Sequence, residues 1–128
     1  MKKIYTAVFH LDEGGYIARV PAILGCATTG KTLEDAIERI SDVAHDCLCA
    51  LEDMGQPLPE ETLDVAAEME PGDKSTLLVL DTAKYRRMTD TKAVPKTVSM
   101  PAWMAAEAAK RRINLSKVLQ DALYQVLG

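Results

Sequence analysis

No run of 18 or more apolar residues occurs in the chain, so nothing in it has the length that a membrane-spanning helix needs. Met1-Lys2-Lys3 leads into an alternating strand rather than an apolar signal core, and the expected setting is the cytoplasm. Cysteine is scarce. Cys26, Cys47 and Cys49 are odd in number, and the last two, spaced by two on a helical pattern, point in different directions. That spacing speaks against a disulfide framework or a zinc site. The two histidines, His10 on a strand pattern and His45 on a helical one, have no Ser or Cys suitably paired with either. No catalytic residue, metal or cofactor is therefore expected. Aromatic residues make up 5% of the chain, and Trp103 and Tyr124 stand beside an apolar stripe, where rings usually pack rather than stack on bases.

What is present suffices for one core and a small appendage. At 128 residues and 48% hydrophobic, the chain can hold a body of about 80 to 90 residues plus a short module. Its net charge of −4 hides a division. From residue 83 onward there are nine Lys or Arg against three Asp or Glu, a net of +6, and the first 82 residues carry six against sixteen, a net of −10. Such a split points to partners of opposite sign.

Ile4 to Leu11 alternates, with Tyr5, Ala7, Phe9 and Leu11 on one face. Asp12-Glu13-Gly14-Gly15 reads as a hairpin turn, Tyr16 to Val20 as the returning strand, and Ile23 to Gly30 as a turn and third strand. Thr32 caps a helix, with Asp35 completing a capping box, and Leu33, Ala36, Ile37, Ile40, Val43, Ala44, Cys47, Leu48 and Leu51 keep the helical period. Gly55, Pro57 and Pro59 end it. An acidic loop follows to Asp73, then a buried strand from Ser75 to Leu80 and a short helix from Asp81 to Arg87. Carboxylates do not converge in the way a two-metal nuclease requires: Asp12 and Glu13 sit at a hairpin tip, and Asp81 stands alone at a strand end.

Pro95 to Pro101 alternates again, placing Val98 and Met100 on one side and Thr97 and Ser99 on the other. Pro101 suits the first position of a helix running to Ile113, and Asn114 suits the N-cap of a second. In that second helix Leu115, Val118, Leu119, Ala122, Leu123, Val126 and Leu127 form a stripe that nothing in the segment can cover. A piece of about 35 residues is too small to bury enough surface alone, so a second copy is expected to supply the cover.

A strand ending in Ser99-Met100-Pro101, a helix, the turn Ile113-Asn114-Leu115-Ser116 and then Lys117 to Leu123 resemble a ribbon-helix-helix domain, in which two chains intertwine and pair their strands. The resemblance implies that the ribbon enters the major groove of DNA. Thr97 and Ser99 would then read bases. Lys96, Asn114, Ser116 and Lys117 would hold phosphates. Val98, Met100, Val118, Leu119, Ala122, Leu123 and Val126 would form the dimer core. The family usually has a polar residue where Pro95 stands and an apolar one where Lys96 stands.

The order strand, strand, strand, helix, strand, together with Asp12-Glu13-Gly14-Gly15-Tyr16, Pro21, Gly25-Cys26, Thr28, Gly30 and Thr32 to Ala36, resembles the HicB antitoxin family. That resemblance implies an α+β chain in two domains. Residues 1–87 would form an antiparallel sheet under a long covering helix, a partial RNase H-like βββαβ unit. Residues 88–94 would link it to a βαα ribbon-helix-helix domain at 95–128. It also implies a non-enzymatic antitoxin that neutralises a HicA-like, mRNA-cleaving ribonuclease and represses its own operon through operator double-stranded DNA. The assembly would be a C-terminal homodimer, or a tetramer if the N-terminal sheets also associate. The alternative is an orphan HicB-like regulator or oligomerisation module with no toxin.

Overall fold

A computed structural model describes residues 2–128. The chain divides into two compact units, Met1–Lys92 and Ala93–Gly128.

The first unit opens with β1 (Lys2–Asp12), whose hairpin with β2 (Gly15–Arg19) is antiparallel and places Val8 opposite Arg19 and Asp12 opposite Gly15. Gly14 at φ +81° makes the tight reversal. β3 (Ala27–Gly30) pairs on the outer side of β2, and β4 (Lys74–Asp81) pairs antiparallel with the other edge of β1. The sheet order is β3-β2-β1-β4.

On the front face Tyr5, Ala7, Phe9, Ala18, Leu78 and Leu80 are buried beneath α1 (Leu33–Asp53), which presents Ala36, Ile40, Ala44 and Leu48 at four-residue spacing. The helix sits very close to the sheet. A Cβ on Gly30 would lie 2.5 Å from the amide nitrogen of Ala36 and 2.6 Å from its Cα, so only glycine fits there. Thr32 caps α1 by accepting the N–H of Asp35 at 3.1 Å. The reciprocal bond differs from the expected capping box: Asp35 Oδ2 accepts from Lys31 N–H, one residue before the cap, because its side chain reaches past Thr32.

On the back of the sheet lies the acidic loop, which contains one 3-10 turn (Ala66–Glu68). Side chains of the sheet lace its backbone down. At the start of the loop, on the α1 side, the Tyr5 hydroxyl donates to Pro59 O at 2.6 Å; on the back, Thr6 Oγ1 donates to Leu63 O at 2.9 Å and Arg19 donates to Glu68 O. Thr6, Val8 and Val65 are buried as a result, so the middle of β1 is covered on both faces.

Two strand expectations are corrected. Leu11 is 64% exposed because the alternation runs on toward the hairpin tip, beyond the core. β4 is an edge strand rather than a fully buried one: Leu78 and Leu80 face α1, but Leu77 and Val79 on the reverse are 58% and 54% exposed, since the loop covers β1 and not β4. After β4, α2 (Thr82–Thr89) is capped by Asp81, whose Oδ1 accepts Lys84 N–H at 3.1 Å.

The second unit holds α3 (Ala102–Lys110) and α4 (Leu115–Leu127). Residues 93–101 contain no strand. The alternating pattern is there, but a strand needs a ladder partner, and within this unit there is no second extended segment to provide one. Pro101 is the N-cap of α3 rather than its first residue. The helix also stops short of Ile113. Ile113 N–H donates to Ala108 O, Arg112 N–H donates to Ala109 O, and Arg112 takes φ +53°, a Schellman closure made without glycine.

Candidate interaction surfaces

In the second unit, Asn114 caps α4 as expected, its side-chain oxygen accepting Lys117 N–H at 3.1 Å. That changes how the proposed phosphate residues act. Asn114 and the Lys117 amide satisfy each other, which leaves the N–H groups of Leu115 and Ser116 as the outward donors of the first turn, with the exposed Lys117 ammonium beside them. Thr97, Ser99 and Lys96 are all exposed.

The apolar residues separate into two sets. Val98, Met100, Val118, Leu119 and Ala122 line one open groove of about 610 Å³, joined by Met104, Ala108, Ile113 and Leu115. Lys96 and Ser116 stand on its lining too. Leu123 and Val126 lie outside the groove, and Val126 is 80% exposed. Ala108 is the one buried residue of the unit among those described, and α4 has none. Trp103 and Tyr124 are exposed in the single chain, contrary to the expectation that they pack.

In the first unit Arg86 of α2 turns inward, while Lys84 and Arg87 are exposed. Arg86 donates to Asp53 at 2.9 Å, to Glu52 at 3.4 Å and to Cys49 O at 3.1 Å, while the Tyr85 hydroxyl donates to Asp46 at 2.9 Å. Tyr85 stacks on His45 with ring centroids 4.6 Å apart, and burial, then Asp46, pushes its phenol up to about 12. His45 Nδ1 lies 2.8 Å from Ser41 O and must donate, and Nε2 accepts Asp81 N–H at 3.1 Å, which fixes the neutral Nδ1–H tautomer. These bonds fasten α2 to α1. The unit therefore holds ten Lys or Arg and seventeen Asp or Glu, and the second unit five and two. The charge contrast stands, but it divides after Lys92 and is smaller than a cut at residue 82 suggests.

The other titratable groups are likewise in structural positions. His10 Nδ1 meets Asp73 Oδ1 at 2.7 Å; this bond raises the imidazole, and a backbone N–H from Glu70, then His10, lowers the Asp73 carboxyl. Cys26 is buried, and burial followed by neighbouring Cys47 pushes its thiol up to about 12. Among the described residues, no three His, Cys, Asp or Glu are grouped to hold a metal ion, and no helix is long and apolar enough to cross a membrane.

No family model matches the chain. A UPF0150 protein of Synechocystis sp. is 32% identical over 59 residues, which are 46% of this chain and 81% of that protein. Another from Thermoplasma acidophilum is 31% identical over 61 residues, 47% of this chain and 88% of that one. Among solved structures, the antitoxin HicB of Burkholderia pseudomallei is 25% identical with a TM-score of 0.53, covering 98% of this chain and 99% of its own. By sequence the chain belongs to the UPF0150 family, and by structure it is a HicB-family protein. The N-terminal domain of the same Burkholderia HicB covers 62% of the chain at 26% identity and a TM-score of 0.52. A chain of a toxin-antitoxin complex from Streptococcus pneumoniae has a similar fold over 98% of this chain and 99% of its own, at 18% identity and a TM-score of 0.59.

Proposed function

We propose that this HicB-family chain is a cytoplasmic, non-enzymatic antitoxin that binds a HicA-like ribonuclease toxin through its N-terminal unit. As a C-terminal homodimer, it would repress its own operon by binding operator DNA. The observation that carries the reading is the likeness to the Burkholderia HicB antitoxin over 98% of the chain, which spans both units rather than one. Physical chemistry supports each half. An RNA-gripping toxin must be basic, and the N-terminal unit carries seven more acidic than basic residues, a field that speeds encounter.

The second unit leaves its groove and the far side of α4 open, which is what a chain completed by its twin would do. In the paired state, residues 95–101 of the two copies would form a two-stranded ribbon with Val98 and Met100 inward and Thr97 and Ser99 toward bases. The amides of Leu115 and Ser116, with Lys117 and Lys96, would contact phosphates.

The test is co-expression with the product of the adjoining small basic reading frame, scored by pull-down and by relief of toxicity, alongside gel shifts on the operon's upstream DNA. Lys117→Ala is expected to weaken binding to all sequences alike and Thr97→Ala to change sequence preference. Unchanged binding by both would remove the DNA role. An absent or non-binding basic product would leave the chain an orphan regulator.

A further inference from the structure

β4 is an open edge. It runs for eight residues, contains no proline, and pairs on one side only, with β1, so its outer N–H and C=O groups have no strand beside them. Alongside that edge lies the flank of α1, and the space between them is a row of three shallow hollows, each of about 450 to 470 Å³. The first lies between residues 74–76 and Ile37. The second lies between Leu78 and Glu38 with Asp42. The third continues from Val79 past Asp42 to His45. Exposed Leu77 and Val79 on the reverse face mean that a strand laid here would find apolar neighbours behind it as well as backbone partners beside it.

Charge selects the occupant. The middle of the row carries Glu38 and Asp42, both exposed, while the cations stand toward its two ends, Lys74 at one and Lys2 with Lys84 at the other. A second copy could pair β4 with β4 antiparallel about Leu78, setting Leu77 against Val79. The same dyad would crowd Glu38 and Asp42 of both copies together, and facing like charges are unfavourable.

We infer that this groove takes an extended, lysine- or arginine-bearing strand of a basic partner protein, which joins the sheet at β4, sets alternate apolar side chains beside Leu77 and Val79 and turns its cations to Glu38 and Asp42. The inference rests on the toxin-binding reading above and names where and how that partner docks.

The experiment uses the full chain and the purified product of the adjoining basic reading frame. Amide exchange is followed with and without that product, and affinity is measured for the wild type and for two double variants, L77K/V79K and E38K/D42K. Both variants change exposed positions, and retained thermal melts establish that they fold. On binding, amides of β4 are expected to gain protection, and each variant is expected to lose about tenfold or more in affinity. The salt dependence should flatten only in E38K/D42K. A wild-type complex without β4 protection, bound equally well by both variants, would overturn the groove and leave the antitoxin reading standing. No wild-type complex at all would overturn both. If L77K/V79K instead dissociated a larger assembly of the chain alone, the edge would be a self-pairing surface and the inference would fall.

Discussion

His10 and Asp73 hold the end of the acidic loop against β1, and their bond gives the N-terminal unit a definable pH dependence. Asp73 has a side chain only 2% exposed, so its carboxylate depends on His10 and on the Glu70 amide for partners. His10 is raised above 6.5, so its contribution is full below 6.5 and is lost as pH rises through the raised value. Asp73 is lowered below 3.8, so its contribution is full above 3.8 and is lost as pH falls through the lowered value. Both are fully present between 3.8 and 6.5. Thermal melts are expected to show a midpoint that declines on the alkaline side of that window, and His10→Gln should flatten the decline. Arg112 offers a second test at this scale. Its left-handed backbone carries a Cβ penalty that glycine lacks, so Arg112→Gly is expected to stabilise the C-terminal unit by about 1 kcal/mol in denaturant titrations.

At the scale of elements, the seating of α1 on β3 decides the packing of the N-terminal unit. Gly30→Ala would drive a methyl into the Ala36 backbone, which cannot yield without lifting the helix, and a loss of about 1 to 3 kcal/mol is expected by equilibrium unfolding. Thr32→Ala should cost about 1 kcal/mol through the lost cap. The long helices and the β1–β2 hairpin were legible because period and capping chemistry are local: Thr32 and Asn114 each sit one residue before a helix and cap it, whereas Asp81, expected inside its helix, proves to be its cap. What was not legible depended on contacts made at a distance. Leu77 and Val79 look like core residues until the sheet order makes β4 an edge. Arg86 looks like part of a basic arm until Asp53 and Glu52 claim it. The end of α3 hides for a different reason: Arg112 occupies a position usually marked by glycine.

For the whole molecule, the decisive quantity is how many chains complete the second unit. Its groove is lined by Leu119, Val118 and Met104, and a charge placed there should keep chains apart. Leu119→Lys is expected to convert a dimer to a monomer in analytical ultracentrifugation and to abolish gel-shift binding, with the N-terminal unit's melt unchanged. Should the dimer contact four phosphates through Lys96 and Lys117 of its two chains, the logarithm of affinity would fall with that of salt at a slope of about −3.6. The same residues that suggested a stripe in the sequence would thus set the proposed assembly, which ultracentrifugation reads directly.

At Val8 and Phe9, both buried, β1 has strands bonded along both of its edges, β2 on one and β4 on the other, within a stretch that lies between α1 and the acidic loop. Fraying of one neighbouring strand leaves these two residues paired with the other. Their deuterium uptake should occur only when the entire N-terminal body comes apart, so these two backbone positions serve as an internal gauge of its global unfolding free energy, readable inside a mixture or a complex where optical melts overlap.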